Sequence, residues 1–136
     1  MSSVVSSRHS DIVSMLIVGA SATARAAIAP NLGAYPTTLL KKLVEHGCFV
    51  RPLRVREKYR DASKALQRLG VNVDAWPVPP AGLFVVEERT IYLRSLSAMT
   101  VGHEVAHAID CALGGGVYRS GFDQRSVRRS RAHARS

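Results

Sequence analysis

Two histidines and one glutamate lie at the spacing of a helical metal site, in the stretch His103-Glu104-Val105-Ala106-His107. In a helix, residues four positions apart lie one above the other on the same face. His103 and His107 can therefore offer two imidazole nitrogens to one metal ion. This His-Glu-x-x-His pattern is typical of the zinc sites of metallopeptidases.

Glu104 follows the first histidine and lies about 100° round the helix from it, beside the metal position. Zinc lowers the pKa of water to about 7, so a carboxylate at this place suits the base that takes the proton. The alternative is a buried helix that contains two histidines, because apolar residues surround the motif. These residues are Val101, Val105, Ala106, Ala108 and Ile109. Titratable groups are costly in such a helix unless they are paired or metal-bound, which favours zinc chemistry.

The positive charge of the chain is concentrated at its C-terminal end. The formal net charge is +9, and six arginines against Asp123 give +5 over residues 119–136. The preceding part is mildly basic, so the sequence predicts no specific nucleic-acid partner. Residues 123–136 contain Val127 as their only sizeable apolar side chain. This composition predicts a basic, disordered tail over residues 121–136.

The cysteines indicate how many disulfides are possible, and the hydropathy pattern indicates whether the chain can span a membrane. Cys48 and Cys111 allow one internal disulfide, and free thiols in separate elements are the favoured prediction. The sequence contains no apolar, uncharged run of about 18 residues or more, so it predicts no membrane span.

Residues 1–35 fit two interpretations. Arg8 precedes an apolar run, Ile12 to Ala20, and small residues follow in the pattern of a secretory signal peptide. The second interpretation is a helix from about Asp11 to Ala29, ended by the proline that follows. The first predicts a secreted protein, and the second is compatible with a cytoplasmic one.

Helix and strand patterns alternate after residue 35. Apolar residues at helical spacing predict two helices, and an alternating stretch between them predicts a strand. Pro52 restricts that strand to a sheet edge, because proline cannot donate a ladder hydrogen bond. The predicted elements are a helix over 37–46, a strand over 48–56 and a helix over 57–69.

A β-hairpin and the motif helix complete the predicted domain, which spans residues 36–120. Strand-forming residues at 83–86 and 90–93 flank a short turn and predict the hairpin. Its second strand is expected to offer a sheet edge to an extended peptide substrate. The motif helix is expected to begin at Ala98 or Met99 and to end at Leu113, before three glycines.

The hairpin and the motif helix together resemble one known family. The segments 82–86, 91–95 and 103–110 are similar to the lethal factor-type zinc metalloprotease domain, the catalytic domain of anthrax toxin lethal factor and its relatives. The resemblance covers about residues 36–124 and is most specific over 82–120. It implies a small α+β, zincin-like domain with zinc as cofactor and metalloendopeptidase activity, often in an exported protein.

The resemblance assigns roles to the residues of the motif. His103 and His107 correspond to zinc ligands, and Glu104 corresponds to the base that activates the attacking water. Asp110, one turn after His107, matches a family position with a hydrogen-bonding role beside the ligands. A helix-capping or surface role is the alternative for Asp110.

The third zinc ligand of the family has no counterpart in this sequence. Family members place a glutamate on a later helix, and no glutamate follows Glu104 here. Asp123 and His133 are the remaining donors, since a catalytic zinc site commonly uses three protein ligands. Tyr118 is a weak match for a family tyrosine that stabilises the reaction intermediate, and packing is its alternative role. One hypothesis is a truncation or frame shift, which predicts a glutamate-bearing helix in another frame of the downstream nucleotide sequence.

Two further classes of function stay open beside a zinc metalloendopeptidase acting on a peptide or protein substrate. One is a catalytically silent zincin-fold fragment, or a binding module, that lacks the third ligand. The other is a basic protein whose arginine-rich tail binds nucleic acid or anionic lipid. The sequence leaves the oligomeric state open.

Overall fold

The computed structural model describes residues 2–114, with side chains from Arg8 onward. Within these residues the chain forms a small mixed α+β structure, which confirms the predicted fold class at this level. The elements are α1 (Ser2–Leu16), α2 (Ala22–Gly33), α3 (Thr37–Glu45), β1 (Phe49–Pro52), α4 (Tyr59–Ala62), α5 (Lys64–Leu69), β2 (Gly82–Val85), β3 (Thr90–Leu93) and α6 (Ala98–Ala112). Two short 3₁₀ helices, Val73–Ala75 and Val86–Glu88, lie in the connections. The predicted tail lies outside the described residues.

The three strands form one mixed sheet in the order β1-β3-β2. β1 is parallel to β3, with Phe49 opposite Thr90, and β2 is antiparallel to β3, with Gly82 opposite Leu93. β1 is thus an edge strand, as Pro52 predicts. The expectation that the strand at 91–93 offers a free edge is wrong, because β3 is paired on both sides.

Both faces of the sheet are covered. Val50, Phe84 and Ile91 belong to the main core, together with side chains from α1, α2, α3 and α6. On the opposite face, Leu83 and Tyr92 pack in a smaller core with α4 and α5. All residues of β2 and β3 are therefore buried, which agrees with their nearly continuous apolar sequence.

The N-terminal segment forms two helices rather than one. The predicted single helix over residues 11–29 is wrong, because the chain turns after Leu16 and begins α2 with Ser21 as its N-cap. The turn is fixed by a bridge between Ile17 and Val50, and by Gly19, whose φ of 61° favours glycine. Pro30 lies inside α2 rather than ending it.

The N-terminal helices are part of the main core. Ile12, Leu16 and Ile28 are buried in the same cluster as Val101 and Val105 of α6. The predicted domain boundary at residue 36 therefore does not separate two hydrophobic cores. Within the apolar run that resembles a signal peptide, residues 12–16 lie in α1 and Ile17 forms a β-bridge with Val50. Among the described residues, no helix combines the length and apolar character needed to cross a membrane.

The predicted helix over 57–69 is divided at Ser63. This residue has extended backbone angles, φ −107° and ψ 113°, and begins α5 as its N-cap. Its buried hydroxyl accepts a hydrogen bond from the Leu66 N–H and donates one to Glu88. Gly70 ends α5 in the left-handed conformation that glycine adopts readily.

Candidate metal centre

The motif helix α6 begins and ends near the predicted residues. Ser97 is its N-cap, and the serine side chain accepts a hydrogen bond from the Thr100 N–H at 3.2 Å. Val101, Val105 and Ala108 form the buried face, which packs against the sheet and α2 and α3. This burial fixes the rotation of the helix and directs the histidines away from the core.

The two histidines of the motif lie side by side. His103 is exposed and His107 is half-buried, and their Nε2 atoms are 3.3 Å apart. Two nitrogens that each lie about 2.0–2.1 Å from a tetrahedral zinc ion are about 3.3–3.4 Å apart by simple geometry. The separation of the two nitrogens therefore equals that between two corners of a zinc tetrahedron, and it also allows a hydrogen bond between the two rings.

Glu104 is buried beside the histidine pair. Its side chain is 9% exposed, and its Oε2 atom lies 3.8 Å from Nε2 of His103. Burial raises the pKa of Glu104 to about 7, and a hydrogen bond from the Phe84 N–H acts in the opposite direction. The carboxyl group thus lies between the outer edge of β2 and the candidate metal position, with a pKa suited to exchanging protons near neutral pH.

Gly82 permits the close approach of α6 to β2. A Cβ atom at this position would lie 2.8 Å from Cγ of Glu104 and 2.9 Å from Cγ2 of Thr100. Such distances are shorter than carbon atoms tolerate, so any larger residue must displace the helix or the Glu104 side chain. The sequence contained this glycine at the start of the predicted hairpin, but no spacing rule linked it to Glu104.

The segment directly before β2 is held in place by hydrogen bonds to its backbone carbonyls. The Tyr59 hydroxyl donates a 2.6 Å hydrogen bond to the carbonyl of Pro80. The carbonyl of Ala81 accepts hydrogen bonds from the N–H groups of Arg94 and Ser95, at 2.8 and 2.9 Å. These bonds hold the chain in place where it reaches Gly82. Sequence analysis predicted a helix over 57–69 but did not identify Tyr59 as an anchor.

The described residues supply two of the three expected zinc ligands. Over residues 2–114, no group of three or more His, Cys, Asp or Glu side chains is placed to hold a metal ion. Asp110 is exposed on α6. Asp123, His133 and Tyr118, the other predicted candidates, lie outside the described residues.

Both cysteines are free thiols, and Cys111 lies on α6 one turn after His107. Burial raises the pKa of Cys48 to about 11. Cys111 is half-buried near the end of α6, and its Sγ atom lies 3.7 Å from Nε2 of His46. A raised pKa makes the buried Cys48 thiol a poor nucleophile.

Comparisons with protein-family models, with curated proteins and with solved structures find no significant match to the chain. The functional interpretation therefore depends on the motif and on the geometry of its side chains.

Proposed function

We propose that the chain is a zinc metallopeptidase domain of the lethal factor-like, zincin-type kind. The observation that carries the proposal is the 3.3 Å distance between the Nε2 atoms of His103 and His107, with the Glu104 carboxyl group beside them.

Glu104 acts as general base and then as general acid. Zinc, when bound by the two histidines, polarises the peptide carbonyl and lowers the pKa of water. The Glu104 carboxylate accepts the proton of the attacking water and passes it to the nitrogen of the leaving amine. Its pKa of about 7, raised by burial, suits both transfers.

The outer edge of β2 is the proposed binding edge for the substrate, in place of β3. Within the described residues, β2 pairs with β3 alone, so its other edge faces away from the sheet. The Glu104 carboxyl group lies at that edge, next to the Phe84 N–H. An extended peptide added along β2 would therefore bring a peptide bond close to the carboxylate.

The third zinc ligand comes, in this proposal, from outside residues 2–114. Two histidines leave one protein position of a catalytic zinc site to be filled. Asp123 and His133 are the candidates within the chain, and a partner protein is the other source. Each source predicts a different ligand set in a metal spectrum.

Metal analysis of the purified full chain tests the proposal. We expect one zinc ion per chain, lost in H103A and in H107A, since either change removes a ligand. E104Q should retain the metal but lose peptide hydrolysis, because it removes only the base. H46A, a histidine outside the site, is the matched control and should retain both. A folded protein that takes up no zinc would contradict the proposal.

A catalytically silent domain with the same histidine pair is the second candidate. The observation in its favour is that the described residues provide no third ligand. It predicts weak, substoichiometric zinc binding and no hydrolysis of any peptide by the wild-type protein. A zinc titration monitored by calorimetry measures the stoichiometry and affinity of zinc binding, and it separates the two candidates.

A further inference from the structure

A group of exposed basic side chains borders the site at the end of the sheet. We name it the basic rim; it consists of Arg54, Arg56, Lys58 and Arg60. Among the residues that the structure describes, no acidic side chain forms an ion pair with the rim. The two acidic residues of this segment are otherwise engaged. Glu57 pairs with Arg51, and Asp61 accepts a hydrogen bond from the Lys58 N–H.

The topology places the basic rim at the end of the sheet where β2, the strand next to Glu104, begins. The rim follows β1, and the carboxyl ends of β1 and β3 meet the start of β2 at one end of the sheet. Arg94, directly after β3, donates hydrogen bonds from its guanidinium to the carbonyls of Arg54 and Glu57. These bonds hold the loop that contains the rim close to the segment entering β2.

Tyr59 gives the distance between the basic rim and Glu104. Its hydroxyl reaches the carbonyl of Pro80, two residues before Gly82, which contacts Glu104. One tyrosine side chain and two residues together span at most roughly 15 Å, which is an upper limit on the separation. A substrate in extended conformation covers this distance in about four to five residues.

We infer that the basic rim binds acidic side chains of a polypeptide substrate, about three to five residues from the bond that is cut. The inference rests on the proposed peptidase function. It explains why a cluster of unpaired cations lies beside a site that handles peptide bonds. Exposed charges of this kind steer and hold oppositely charged partners.

The chemistry of the rim favours a polypeptide over the other anionic partners. Tyr59 is the only aromatic residue in the segment 53–62, and it is buried, so this segment offers no ring for base stacking. Val55 is the one strongly exposed large apolar side chain of this segment, which is little to insert into a membrane.

The first test identifies the cleavage sites. The zinc-loaded full chain is incubated with a peptide library prepared from a whole proteome, and the products are identified by mass spectrometry. We expect Asp and Glu to be enriched three to five residues from the cut on one side. Cleavage without such enrichment would overturn the inference and leave the proposed function standing.

The second test measures binding without catalysis. E104Q protein is titrated with a labelled Glu-rich peptide in about 0.05 M and about 0.5 M salt, and fluorescence anisotropy is recorded. The triple change R54Q/R56Q/K58Q should weaken binding about tenfold at low salt, and by less at high salt. The control R8Q/K41Q/K42Q removes the same charge from exposed positions on α1 and α3 and should change binding less than about twofold.

The outcomes separate the inference from the proposed function. Rim-dependent peptide binding without any cleavage would support the surface and contradict the peptidase proposal. Equal effects of the two triple changes would overturn the inference. Tighter rim-dependent binding of single-stranded DNA, or of phosphatidylserine vesicles, than of the acidic peptide would also overturn it, because the partner would be a different anion.

Discussion

At the scale of single residues, the site depends on one position that lacks a side chain. Gly82 allows Glu104 and Thr100 to lie against β2, at distances that a Cβ atom would close to 2.8 and 2.9 Å. The carboxyl group is buried as a result, and this burial raises its pKa to about 7. The raised pKa on which the proposed role of Glu104 depends therefore originates in its contact with the neighbouring strand.

G82A is expected to lower stability and, if the chain is the proposed peptidase, its hydrolysis of peptides. The added methyl group forces the Glu104 side chain or α6 to move, which costs about 1–3 kcal/mol of unfolding free energy. Zinc binding should change less than the proposed activity, because neither histidine is among the atoms that the added methyl group would meet. Urea unfolding, zinc titration and peptide hydrolysis measure the three quantities.

G102A is the matched control for this change. A Cβ atom at Gly102 would approach only the Tyr35 hydroxyl, at 3.9 Å, and alanine favours the helix by about 0.5–1 kcal/mol over glycine. We expect this variant to be as stable as the wild type or more so. Equal stability of G82A and G102A would show that the contact at Gly82 is not tight.

The Arg51–Glu57 pair predicts how stability depends on pH. The hydrogen bond from Arg51 is the main cause that lowers the pKa of Glu57 from 4.5 to about 2. The pair therefore stabilises the fold above pH 4.5, and its contribution, ~1–2 kcal/mol, is lost as pH falls from 4.5 towards 2.

E57Q should remove this part of the acid dependence of stability. Urea unfolding at several pH values between about 5 and 2 measures the slope in both proteins. D11N, a change at an exposed carboxylate of α1, should leave the slope as in the wild type. An unchanged slope in E57Q would contradict the assignment.

At the scale of elements, the sequence predicted the bounds of single helices better than the break between two consecutive helices. The motif helix and α3 were predicted to within about two residues, because their apolar spacing and their end signals agree. The break at Ser63 was missed, since its cause is Glu88, 25 residues away, which accepts hydrogen bonds from the Ser63 hydroxyl and from the Ala65 N–H. A contact between residues far apart in the sequence produces no periodic pattern of apolar residues near the break, so the pattern could not predict it.

E88A is expected to destabilise the smaller core. The Glu88 carboxylate accepts hydrogen bonds from the hydroxyls of Ser63 and Tyr92, both at 2.8 Å. Its removal leaves buried donors without a partner, which costs about 1–3 kcal/mol. The variant should lower the midpoint of thermal unfolding, whereas E45A on the exposed face of α3 should shift it little. Similar midpoints for the two variants would contradict this account.

At the scale of the whole molecule, one core spans the predicted boundary at residue 36. The boundary was inferred from the ambiguous composition of residues 1–35, which shows where apolar residues are but not what they contact. The candidate site was predicted more fully, because the two histidines and Glu104 are set by one helix. The choice of sheet edge was wrong, because the pairing of β1 with β3 joins segments about 40 residues apart.

L16A is expected to test the role of α1 in the core. Leu16 is 1% exposed in the main core, so its truncation should cost about 2–5 kcal/mol of unfolding free energy. M15A changes the neighbouring residue, which is 55% exposed, and should cost less than about 0.5 kcal/mol. Equal effects in urea unfolding would mean that α1 does not pack on the domain.

The central position of β3 determines which amide protons are the last to exchange with deuterium. β3 has a hydrogen-bonded neighbour on each side, and both of its faces are buried. No local fluctuation can then bring its backbone into contact with solvent, and exchange requires the entire domain to open. The slowest deuterium uptake should therefore fall on Ile91 to Leu93, and its rate reports the free energy of global opening.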